Sequence, residues 1–165
     1  MGTLKNNYNA TLLPQRKSQR LQGYDYSTSN KYFITSNVKD FIKSFGHVST
    51  GKMQLNIYGW IVEEQIKWLE KQYSYVSIHS YIVMPDHFHL IIEIDSLKKK
   101  NGEKIKLISE LIGALKTTSS KKIRVGGYLG FQWHRSFHDR IIRANFEFIR
   151  IQEYISQNPA RWSCK

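Results

Sequence analysis

Two histidines, His87 and His89, stand one residue apart in the segment YIVMPDHFHLIIEI, residues 81–94. On an extended strand the side chains alternate, so both imidazoles share one face while Phe88 and Leu90 take the other. Two imidazoles on one face can converge on a divalent cation; a pair of solvent-facing histidines at a sheet edge is the plainer alternative. The Pro85-Asp86 turn just before the pair, the apolar run after it and the polar ligand types downstream favour the cation. The sequence has neither Cys-x-x-Cys nor His-Glu-x-x-His, which argues against a structural zinc or a zincin site. A Walker-type loop, a dinucleotide-binding glycine loop and a Gly-x-Ser-x-Gly elbow are also absent.

A third ligand must come from elsewhere, and QEYISQNPARW, residues 152–162, offers Asn158 or Gln157. The same stretch carries Tyr154, and tyrosine is a competent covalent nucleophile. One helical turn separates Tyr154 from Asn158, which puts hydroxyl and amide on one side of a helix. A cation held by His87, His89 and such an amide can polarise a phosphate that faces Tyr154. The alternatives are packing of Tyr154 beside Ile151 and Ile155, and a helix C-cap role for Asn158 before Pro159.

Charge points to the partner. Lys and Arg number 25 against 13 Asp and Glu, a net charge of +12. A compact chain this basic suits a polyanion, most often nucleic acid. The charge is clustered: Lys5, Arg16, Lys17 and Arg20 precede the first acid, Asp25. Lys98, Lys99, Lys100, Lys104 and Lys106 form a second block, and Lys116, Lys121, Lys122 and Arg124 a third. With 41% hydrophobic residues the composition is globular, and no run approaches a membrane span. The N-terminal segment lacks the apolar core of a signal peptide, and the only cysteine, Cys164, can close no intrachain disulfide. The expected location is therefore cytoplasmic, with no membrane partner.

The elements that must position these residues follow from periodicity and breakers. Residues 1–30 are read as a basic arm, 31–38 as a strand, 46–52 as a loop and 53–59 as a short strand. Val62, Ile66, Leu69 and Tyr73 recur at helical spacing and predict a helix over about 60–73. Residues 75–84 and 87–94 form a hairpin around Pro85 and Asp86. A helix is expected to end near 122, a loop to cover 124–133, and a short strand to follow over 136–143. The last helix is expected over 146–157, capped by Asn145 and stopped by Pro159. The fold class is α+β, a ferredoxin-like sandwich with an antiparallel central sheet and helices mainly on one face, in one domain over 1–165.

The string MPDHFHLII resembles the His-hydrophobe-His motif of single-tyrosine transposases of the insertion-sequence-two-hundred-like group. RKSQRLQGYDYS, YFIT, YGWIVEEQIKWL, LIGALKTTSSKKI, FHDRIIR and EYISQNPARW are similar, in order, to blocks of its REP-associated tyrosine transposase branch. The resemblance implies that His87, His89 and a polar residue of the tyrosine helix bind Mg²⁺ or Mn²⁺. It implies that Tyr154 attacks single-stranded DNA near a hairpin, leaving a 5′-phosphotyrosine link and a free 3′-hydroxyl. Better-known members carry Gln four residues after the tyrosine, where this chain has Asn158, with Gln157 at three. Arg16, Lys17 and Arg20 are then expected on DNA phosphates, Tyr24 on unpaired bases, and Lys116, Lys121 and Lys122 on a second phosphate track. The expected partners are single-stranded DNA with a hairpin and, as an option, a second copy in a homodimer. A domesticated protein that binds hairpins without cutting is the alternative.

Overall fold

The computed structural model describes residues 29–162. The basic arm, with Arg16, Lys17, Arg20 and Tyr24, and the cysteine lie outside them.

The central sheet starts with strand β1, Asn30–Asn37, whose Tyr32, Ile34 and Ser36 are buried on one face. A small hairpin of β2 (Gly46–Ser49) and β3 (Lys52–Leu55) forms a separate two-stranded sheet. Helix α1 covers Ile57–Gln72, β4 Val76–Val83, β5 His87–Ile94, α2 Ile108–Val125, β6 His138–Ile142 and α3 Asn145–Trp162. The four-stranded sheet has the order β4-β5-β1-β6, with every pair antiparallel. The path β1-α1-β4-β5-α2-β6 is therefore the split βαβ arrangement of a ferredoxin-like sandwich. Among the described residues no helix is long and apolar enough to cross a membrane.

Strand β5 divides the molecule in two. Phe88, Leu90, Ile92 and Ile94 enter the main core with Val62, Ile66 and Leu69 of α1 and Leu111, Ile112 and Leu115 of α2. Ile91, on the other face, packs with Ile142, Ile151 and Ile155 under α3. Two helices thus cover one face of the sheet and the third lies on the opposite one.

Three sequence expectations need correction. Residues 46–52 are not simply a loop: Gly46 to Ser49 pair with Leu55 to Lys52 in an antiparallel ladder around Thr50-Gly51. Residues 53–59 do not stay extended, because Asn56 accepts from the backbone N–H groups of Tyr58 and Gly59, both at 3.0 Å. That side-chain cap opens α1 several residues early. Pro159 does not stop α3, which runs on to Trp162. The missing N–H costs one helical hydrogen bond, but Asn158 and Pro159 are buried, and the Trp162 ring packs on His87 at 5.8 Å. Tertiary contacts hold the last turn against the local preference of proline.

Gly59 marks where α1 meets the loop ahead of β2: a Cβ there would lie 2.4 Å from the carbonyl oxygen of Phe45. Gly59→Ala should therefore destabilise the protein by about 1–3 kcal/mol, despite the roughly 1 kcal/mol that alanine gains in helix propensity. Urea unfolding with an unchanged slope is the measurement, and a midpoint at or above wild type would rule out that close approach.

Candidate active site

His87 opens β5 directly after the turn, and its Nδ1 lies 2.5 Å from the Asp86 carboxylate. A carboxylate only accepts, so Nδ1 carries the proton and donates, which aims Nε2 away from Asp86. His89 faces the same way, ring centroid 4.7 Å from that of His87. It sits opposite Thr35 in the β1–β5 register, with Nδ1 2.8 Å from the threonine hydroxyl. The hydroxyl can accept from Nδ1–H, which leaves Nε2 as the free base. Hydrogen bonds of this kind orient a metal-binding histidine. His89 is pushed down to about 3, first by burial and then by the neighbouring His87. It is neutral at any physiological pH, as a ligand must be.

Helix α3 brings Tyr154 to this pair. Its hydroxyl lies 3.4 Å from His89 Nε2, within reach of donating to it. Phe33 fixes both rings: it stacks on His89 at 5.4 Å and meets Tyr154 edge-on at 6.1 Å. Tyr154 nonetheless stays 37% exposed. Two helical turns on, Trp162 touches His87, so α3 runs past both histidines. Asn158 lies between these contacts, on the face shared by positions four apart, and is buried. Gln157 is exposed and accepts from the Arg161 guanidinium at 2.8 Å. The helix thus turns the Asn158 amide inward and Gln157 outward.

Among the described residues no three His, Cys, Asp or Glu side chains converge. A cation at the two Nε2 atoms would need oxygen ligands from an amide, water or phosphate. Two imidazoles presenting Nε2 and one amide would leave positions on a divalent cation for a phosphate.

Of the residues expected on DNA, Lys121 and Lys122 are exposed on α2, across the sheet from Tyr154. Lys116 is half-buried and donates to the carbonyls of His134, Arg135 and Ser136 at 2.6, 3.4 and 3.3 Å. Burial pushes its ammonium down to about 8, and its direct partner is a loop. The sequence reading missed the cations beside the tyrosine: Arg140, Arg150 and Arg161 border a groove with Tyr154. The signal was present, since 150, 154, 157 and 161 fall at helical spacing on one polar stripe. It also missed Thr35, because a hydrogen bond between strands 54 residues apart has no local signature, and it read Asp86 as a turn residue although that carboxylate adjoins His87 in the chain.

The sheet, with α1 and α2 on one face and α3 on the other, has a fold also seen in solved transposase structures. A REP-associated tyrosine transposase bound to a REP hairpin aligns with a TM-score of 0.60 at 17% identity, over 87% of this chain and 74% of that one. A candidate transposase of Deinococcus radiodurans aligns with a TM-score of 0.51 at 16% identity, over 84% of this chain and 96% of that one. In sequence, an uncharacterized protein of Haemophilus influenzae is 31% identical over 169 aligned positions, 94% of this chain and 93% of the relative. The chain belongs to the family of that Haemophilus protein. No family model matches it.

The buried neutral histidine has a stability consequence. The unfolded chain binds a proton at His89 near 6.5, whereas the folded chain resists it down to about 3. Stability should therefore fall as pH drops between those values, by about 1.4 kcal/mol per pH unit where the proton difference is complete. Metal-free unfolding of wild type and His89→Gln across pH 7 to 4 checks this. The variant should show the shallower fall, and parallel curves would mean that the ring protonates freely.

Proposed function

We propose that the protein is a metal-dependent transposase that nicks and rejoins single-stranded DNA near a hairpin, with Tyr154 as nucleophile. One observation supports this above the others: the Tyr154 hydroxyl meets Nε2 of a histidine whose Nδ1 is already engaged. This places the one remaining acceptor of a buried imidazole against the hydroxyl of an exposed tyrosine. The likeness of fold to a transposase bound to a REP hairpin gives the substrate class its motivation.

His87, His89 and Asn158 would hold Mg²⁺ or Mn²⁺, which when bound supplies Lewis-acid polarisation of a phosphoryl oxygen. Asp86 and Thr35 keep the imidazoles in the binding tautomer and orientation. Phe33 fixes the Tyr154 ring, and the helix keeps its hydroxyl over the histidine pair. The hydroxyl gives its proton to solvent as the oxygen bonds to phosphorus and the bond from phosphorus to O3′ breaks. The products are a 5′-phosphotyrosine and a strand ending in a 3′-hydroxyl once O3′ takes a proton from water. Attack by another 3′-hydroxyl on the same phosphorus reverses the step and joins new ends.

The test is an SDS gel of the protein with labelled hairpin-bearing single strands from its genomic neighbourhood and Mn²⁺. Wild type should give a covalent adduct, Tyr154→Phe none, and His87→Ala at least about tenfold less. Asn158→Ala should fall with His87→Ala while Gln157→Ala keeps most of its yield. Tight hairpin binding with no adduct would instead establish a non-cleaving binder, and adducts in Tyr154→Phe would move the nucleophile elsewhere.

A further inference from the structure

The groove in front of Tyr154 carries more positive charge than a single phosphate requires. Its volume is about 430 Å³. Arg140, Arg150 and Arg161 border it, Phe33 contributes to its wall, and Glu153 is the one carboxylate among its lining residues. Arg140 is ion-paired with Glu147, yet its side chain stays 62% exposed. Arg161 donates to Gln157 and lies 5.9 Å from the centre of the Tyr154 ring. A guanidinium has five donors in a planar fork, so one such bond leaves others for a phosphate. Arg150 is exposed one turn before Tyr154. From Arg150 to Arg161 is eleven residues, roughly 16 Å along the helix, a length that spans several phosphates of a DNA strand.

We infer that this groove holds the phosphodiesters on the 3′ side of the cut, the strand that stays joined to Tyr154 through its 5′ phosphate. The inference rests on the nicking activity proposed above. In an in-line displacement the leaving oxygen departs opposite the attacking one. The tyrosine oxygen approaches from α3, so the strand that ends in the new 3′-hydroxyl leaves on the side away from α3. The covalently held strand remains beside the tyrosine, where the three arginines are. Holding it there keeps the phosphotyrosine in place while one 3′-hydroxyl is exchanged for another.

The experiment maps the cut from the wild-type adduct and then measures binding with Tyr154→Phe, which cannot cleave. Oligonucleotides carry one neutral methylphosphonate at the first, second or third phosphate on either side of the mapped cut. Neutralising a 3′-side phosphate should weaken binding about tenfold, and 5′-side changes should do less. Adding Arg150→Ala should remove most of that 3′-side sensitivity, and Arg150→Lys should retain it. The slope of log Kd against log salt should fall by about 0.7 for each arginine removed. Sensitivity confined to the 5′ side, or unchanged in Arg150→Ala, overturns the inference and leaves the nicking activity standing. A wild type that forms no adduct on any strand overturns both.

Discussion

The alternation of β5 governs the rest of the molecule. Phe88, Leu90, Ile92 and Ile94 are fully buried against α1 and α2, and a pleated strand then has no choice about its other residues. His87, His89 and Ile91 must face α3. A shift of one residue in register would carry the histidines into the main core and expose four large apolar side chains. With side-chain burial contributing about 1.5–3 kcal/mol each, that alternative is excluded by a wide margin. The position of the site is therefore fixed by hydrophobic packing on the face that contains none of its chemistry.

The opposite face is built to a different rule. Its apolar cluster is small, Ile91, Ile142, Ile151 and Ile155 with Phe33, Ile82 and Phe148 beside it. It seats α3 at one end and leaves the other to rings and polar groups. Phe33, His89 and Tyr154 form a chain of aromatic contacts, as do His89, His87 and Trp162. Aromatic pairs prefer offset or edge-on arrangements, which fix ring orientation as well as distance. This is why α3 can continue through Pro159: the Trp162 contact with His87 and the burial of Pro159 make the extra turn worth its lost hydrogen bond.

Electrostatics divides the same face again. Desolvation keeps His89 neutral beneath the tyrosine, while the arginines gather along the exposed stripe of α3 and on β6. The buried imidazole lies inside and the guanidinium groups border the groove in front of Tyr154. The lysine blocks that dominate the sequence are arranged otherwise. Lys116 holds a loop by its carbonyls, and Lys98 lies beside Asp95 and Ser77.

The strands and helices that matter most, the hairpin around Pro85 and Asp86 and the shared face of the two histidines were legible in the sequence. Each of these depends on periods of 2 or 3.6 residues or on a breaker, and such periods are legible within a short window. Only the packed molecule shows which amide turns inward, that α3 passes through its proline, and that Thr35 meets His89. It also shows that Arg140, from a strand, joins Arg150 and Arg161 from a helix around one groove. Those outcomes depend on which face of α3 meets the sheet and on pairings between strands far apart in the chain. Only the packed core sets those relations, because the free energy that fixes them comes from burial shared among distant residues.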